Sequence, residues 1–131
     1  KIYKGMRFIN MLINSCEKKI DFFLGASIDT KTIGYTAAVR GRHTKLLHMA
    51  QLEIGILEKY HHLGIATQMM KFLDLWAENE NIKRLELNVI AENHKAIRLY
   101  LKCGYQIEGR RRSAAQIDGN LVDELHMAKL F

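Results

Sequence analysis

Residues 53–76 read EIGILEKYHHLGIATQMMKFLDLW. An apolar run ends, two adjacent histidines follow, and Gly64 and Ala66 then open an apolar pattern of helical spacing. Ile65, Met69, Phe72, Leu73 and Trp76 recur three or four residues apart, which predicts a helix of about four turns ending near Asn81. The preceding segment, LLHMAQLEIGIL at 46–57, reads as an extended strand. Three chemistries compete at the junction: a metal-binding histidine pair, a phosphate-binding turn, or a plain connection between two core elements.

The phosphate reading has a physical basis. The first turn of a helix has free N–H groups, and its aligned peptide dipoles place partial positive charge there. Small residues let a ligand approach the backbone closely. Gly64 and Ala66, two apart at that point, make a pyrophosphate cradle plausible, although a glycine before a helix can be a turn and nothing more. The metal reading is weaker. Adjacent residues such as His61 and His62 point in different directions, and no H-x-x-x-H spacing supports them, so no metal is expected.

Downstream, IKRLELNVIA at 82–91 alternates, with Leu85, Leu87 and Val89 on one face and Arg84, Glu86 and Asn88 on the other. Asn93 stands where a helix cap belongs and Gly104 where a C′ glycine belongs, so HKAIRLYLKC between them reads as a short helix. Residues 105–130 read as two long strands around Asp118-Gly119. Upstream, 21–29 and 32–41 read as a strand pair around a turn. Met6, Ile9, Ile13, Cys16 and Ile20 are spaced as one face of a helix, so 1–20 reads as an N-terminal helical region. The order helix, three strands, helix, strand, helix, two strands implies an α+β domain with a mixed sheet, in which one strand pair flanking a helix is parallel.

The bulk properties set limits. A chain of 131 residues, 48% hydrophobic and 26% charged, fits one domain, 1–131, with one core. The net charge of +6 suits an anionic partner, whether nucleic acid, membrane or a phosphorylated small molecule. Two cysteines, Cys16 and Cys103, form no disulfide framework or zinc motif, and a reducing cytoplasm is the expected setting. No apolar run reaches the roughly 20 residues of a membrane span. The chain does not begin with Met, so a truncated front is an expectation.

Taken together, His61-His62-Leu63-Gly64-Ile65-Ala66, Asn93, Ala96, Leu99-Tyr100, Gly104-Tyr105 and the closing EGRRR, IDG and VDELHMAKL resemble the GCN5-related N-acetyltransferases, from about residue 21 to the end. Within that family the chain is most similar to the bacterial ribosomal-protein and small-amine acetyltransferases. The family's turn fingerprint is Q/R-x-x-G-x-G/A, and His61 replaces its first residue. His61 is therefore expected to brace the turn imperfectly and with pH dependence.

The resemblance implies the acyl-CoA N-acyltransferase fold: a central, mostly antiparallel sheet with flanking helices, and residues 21–131 as the acetyl-CoA-binding core. It implies acetyl transfer from acetyl-CoA to a primary amine, by direct attack in a ternary complex. His62, Leu63, Gly64, Ile65, Ala66 and Thr67 would hold the pyrophosphate through their amides. A backbone N–H at Ile56 or Leu57 would polarise the thioester carbonyl. Asn93 would cap its helix and also touch the coenzyme, with Ala96 beside it, while Lys95 and Arg98 would meet phosphate or solvent. Tyr100 matches the general acid for the leaving thiolate; on its own it would read as a core aromatic. Glu53 is the first candidate base and Glu86 the second; Asn88 stands where some relatives carry a carboxylate. Cys103 reads as a small core residue rather than an acyl carrier.

The expected partners are acetyl-CoA and an amine acceptor, small molecule or protein N-terminus, with no membrane and no nucleic acid; a homodimer is allowed. Two rival readings are an acetyl-CoA-binding module without catalysis, and a nucleic-acid binder built on RGRHTK (40–45) and GRRRS (109–113).

Overall fold

The computed structural model describes residues 6–10 and 20–131. Seven strands form one sheet: β1 (Met6–Asn10), β2 (Phe22–Ile28), β3 (Lys31–Arg40), β4 (Met49–Ile56), β5 (Arg84–Ile90), β6 (Gln106–Ile117) and β7 (Asn120–Leu130). Two helices, α1 (Ile65–Asn79) and α2 (His94–Lys102), precede and follow β5. The sheet order is β1-β2-β3-β4-β5-β7-β6. Every pair is antiparallel except β4 with β5, which are parallel and joined through α1.

The helical region expected over 1–20 is corrected at residues 6–10. Residues 6–10 form β1 and pair with β2, with Met6 opposite Ile28 and Asn10 opposite Leu24. Met6 and Phe8 pack on the core while Arg7 between them is exposed, a period of two. Phe8 reaches α1, its ring 5.3 Å from that of Phe72. A sheet edge that can satisfy the backbone decides between two readings that a short apolar run leaves open. The rest of that expected region, residues 1–5 and 11–19, lies outside the described residues.

The core lies between one sheet face and the helices. Met69, Leu73 and Ala77 on α1 pack with Leu85 and Leu87 of β5 and Met127 of β7, all essentially without solvent exposure. Each large side chain so buried contributes roughly 1.5–3 kcal/mol. The expected alternation of β5 holds: Leu85, Leu87 and Val89 are buried, while Arg84, Glu86 and Asn88 face the other way. Gly104 ends α2 at φ +98°, a left-handed stop that glycine adopts without strain. Among the described residues no helix is long and apolar enough to cross a membrane.

Candidate active site

The parallel pair creates the site by coming apart. β4 and β5 meet over three rungs only, Met49 with Arg84, Ala50 with Leu85 and Gln51 with Glu86. Beyond them the strands diverge, and a cleft of about 600 Å³ opens between the end of β4, the start of α1 and one side of α2. A volume of that size suits a small-molecule site.

The β3–β4 register decides which peptide groups of β4 face the gap. Leu57 N–H donates to Ile33 O at 2.9 Å. In an antiparallel ladder, residue pairs that exchange hydrogen bonds alternate with pairs that turn their peptide groups outward. The neighbouring pair, Gly34 with Ile56, is therefore of the second kind, and the N–H and C=O of Ile56 turn toward the β5 side. This corrects the expectation for Leu57. Its N–H is engaged by β3, its side chain is exposed, and it does not line the cleft. Ile56 does line it. The Ile56 carbonyl meets His61, whose Nε2 lies 2.8 Å away. That bond needs a proton on Nε2, which either the neutral Nε2–H tautomer or the imidazolium supplies, so the brace does not depend on charge.

The turn into α1 carries left-handed residues at His62 (φ 64°) and Gly64 (φ 79°). Gly64 caps α1 without a side-chain hydrogen bond, so the first-turn amides of Ile65, Ala66 and Thr67 have no capping side chain. No acidic residue stands in that turn. A Cβ added at Gly64 would meet no atom within 4 Å, so the turn faces open space and only its conformation demands glycine. Residues 62–67 all line the cleft. These uncapped amides fit an anionic group such as a pyrophosphate.

The facing wall is α2. Asn93 caps it as expected, its Oδ1 accepting from Ala96 N at 3.3 Å. Asn93, Lys95, Ala96, Arg98 and Tyr100 line the cleft, joined by Leu99 and Lys102. Tyr100 is only 8% exposed, and burial, with a smaller contribution from Cys103, pushes its phenol up to about 12. The hydroxyl therefore keeps its proton at neutral pH and can act as a donor. Ile54, Gly55 and Tyr60 complete the lining. Leu99 and Lys102 were foreshadowed by helical spacing from Lys95, whereas Tyr60 had no signal in the sequence.

The two candidate bases lie elsewhere. Glu53 does not line the cleft; it is exposed on the outer sheet face, where the Tyr35 hydroxyl donates to Oε1 at 3.3 Å. Glu86 is bound to Arg84, Nε to Oε2 at 2.8 Å. Arg84 also grips Glu108 with two nitrogens, and these carboxylates hold its guanidinium above its ordinary pKa. On β7, His126 Nδ1 lies 2.7 Å from Asn88 Oδ1. His126 and Tyr35 had gone unnoticed in the sequence, because strand alternation gives a face but not a neighbour.

Among the described residues no group of three or more His, Cys, Asp or Glu could hold a metal ion. Within the basic stretch on β6, Arg110 pairs with Asp123 and Arg111 with Glu124, at 2.7 and 2.8 Å.

Comparison with known proteins places this geometry. The family model described as the acetyltransferase (GNAT) family matches residues 4–105. An L-amino acid N-acetyltransferase of Escherichia coli K12 is 29% identical over 108 residues, 82% of this chain and 67% of that protein. A solved acetyltransferase of the GNAT family from Streptococcus pneumoniae superposes with a TM-score of 0.80 at 29% identity, covering 84% of this chain and 67% of that one. A Salmonella typhimurium protein solved with its cofactor acetyl-CoA superposes with a TM-score of 0.77, over 83% of this chain and 64% of its own. At 14% identity this last likeness shows the fold alone. The chain thus spans about two thirds of the length of each of these three proteins.

Proposed function

The chain belongs to the GNAT acetyltransferase family, and from that premise we propose that residues 21–131 form the acetyl-CoA-binding core of an N-acetyltransferase that acetylates a primary amine in a ternary complex. The observation that carries this reading is the cleft itself. A parted parallel strand pair opens onto the uncapped start of α1, with a buried phenol on the opposite wall.

Acetyl-CoA, when bound, supplies an activated thioester carbonyl. The residues of this chain do the rest. Amides of 62–67 hold the pyrophosphate, and Lys95, Arg98 and Lys102 add positive charge to the same cleft. The Ile56 N–H donates to the thioester carbonyl oxygen, where negative charge grows. Tyr100 donates to the leaving sulfur. The thiol's own pKa is near 8.5, so full transfer from a phenol at about 12 is uphill, and the donation is a strong hydrogen bond as the C–S bond lengthens. Glu53 lies outside the cleft lining, just past the last β4–β5 rung, and accepts the proton shed by an amine that enters from the outer face, directly or through water. The new C–N bond replaces the C–S bond; the thiolate leaves hydrogen-bonded to Tyr100 and takes its proton from water, giving the amide and the free thiol.

The test is thiol release from acetyl-CoA across a panel of amines, beside calorimetric binding of acetyl-CoA. Release with at least one amine is expected, and Tyr100→Phe should slow it by roughly a hundredfold. Tight binding with no release for any amine would leave a binding module without catalysis. A full rate in Tyr100→Phe where chemistry limits would remove the donor role.

A further inference from the structure

Glu53 and Asn88 stand on opposite banks of the β4–β5 opening. The last rung joins Gln51 to Glu86, and residues opposite each other in a sheet share a face. Two residues further along each strand, Glu53 and Asn88 are the first side chains past that rung on the outer face. Glu53 is exposed, and among the described residues its carboxylate has one partner, the Tyr35 hydroxyl.

Asn88 is held in one orientation. Its Oδ1 lies 2.7 Å from His126 Nδ1. The other ring nitrogen, Nε2, faces Arg84 NH2 at 3.4 Å and Glu86 Oε2 at 3.6 Å. Arg84 is a donor at every pH of interest, so in the neutral ring Nε2 accepts from it and Nδ1 carries the proton. In the charged ring Nε2–H turns to Glu86 and Nδ1 keeps its proton. Either way Nδ1 donates to Asn88 Oδ1. The amide nitrogen of Asn88 is left over, and among the described residues it meets no acceptor. Glu86 on the same bank is already ion-paired with Arg84, which also holds Glu108.

We propose that this pair selects α-amino carbonyl acceptors: Glu53 takes the ammonium and the Asn88 amide nitrogen donates to the adjacent oxygen, with His126 as the positioning residue. The proposal rests on the acetyl-transfer reading above. A polyamine or simple alkylamine has no oxygen for Asn88, and the donor then stays unmet. Free amino acids and peptide amino termini both carry the required chemistry.

The test measures thiol release by the whole chain with matched acceptors: phenylalanine against phenethylamine, lysine against cadaverine, and a tripeptide with a free amino terminus. The α-amino carbonyl member should be favoured at least about tenfold in kcat/KM, and the tripeptide shows which source is preferred. Asn88→Asp keeps the shape and the bond to His126 but removes the donor; it should abolish the preference through KM, with acetyl-CoA affinity unchanged. His126→Phe should narrow the preference without slowing the amine arm, whereas a merely structural loss would lower both arms alike. Should Asn88→Asp not fold, Asn88→Ala also removes the donor and serves the same purpose. Amines used as well as their parent amino acids, or a preference that survives in both Asn88 variants, would overturn the proposal while leaving acetyl transfer standing. Silence with every acceptor would overturn both.

Discussion

The imidazole Nε2 of His61 lies 2.8 Å from the carbonyl oxygen of Ile56, tying the turn before α1 to the last residue of β4. One side chain thereby fixes the spacing between two parts of the proposed site, the outward Ile56 peptide and the amide cradle. Removing it in His61→Ala should weaken acetyl-CoA binding about fivefold, the worth of one net hydrogen bond. His61→Gln, which keeps a donor, should retain most of the affinity. Calorimetric titration with acetyl-CoA separates the two.

The cradle makes a charge prediction. Asparagine and aspartate have nearly the same shape, and both tolerate the left-handed conformation of Gly64 (φ 79°) better than other side chains. Since a side chain there would project into open space, Gly64→Asn should bind acetyl-CoA nearly as well as the native chain. Gly64→Asp places negative charge at the helix start and should weaken binding by at least about tenfold, an effect that shrinks in high salt. Equal affinities for the two variants would place the phosphates elsewhere.

Asn93 links stability to the position of Tyr100. Its side chain accepts from Ala96 N, and α2 spans nine residues. Asn93→Ala should cost about 1 kcal/mol and lower the melting temperature by a few degrees. Hydrogen exchange should show the start of α2 fraying while α1 amides stay protected.

Alkaline titration should report the buried phenol. Tyr100 is raised from 10.0 to about 12 in the fold. Its contribution is therefore whole below pH 10 and disappears as pH rises through about 12, because the unfolded chain loses the proton first. Urea midpoints between pH 9 and 12 should fall, by up to about 2 kcal/mol from this residue. Tyr100→Phe should flatten part of that fall. Tyr105 is raised further by burial and by Asp74, so some loss remains in the variant.

Some of this architecture was legible because its signals are local. The alternation of β5, the Asn93 cap, the glycine after α2 and the Asp118-Gly119 turn each depend on residues within a few positions of one another. Most residues expected at the coenzyme line one cleft for the same reason, since the turn before α1 and the face of α2 are short-range features. β1 was misread because a run of five residues fits period two and period 3.6 about equally, and only pairing with β2 separates them.

The amino-acid sequence by itself determined the fold family, the turn that opens α1 and the residue types that line the cleft. The family follows from the resemblance of its motifs, while the turn and the faces of the helices follow from backbone preferences and periodicity, which act over a few residues. Tertiary structure alone decided what depends on register. The β3–β4 ladder turned the peptide of Ile56, and not of Leu57, toward the gap. The parting of β4 from β5 set Glu53 against Asn88 across the opening. Antiparallel pairing brought His126, 38 positions away in sequence, to the Asn88 amide. A shift of one residue would exchange every face of a strand, and no local preference reports such a shift.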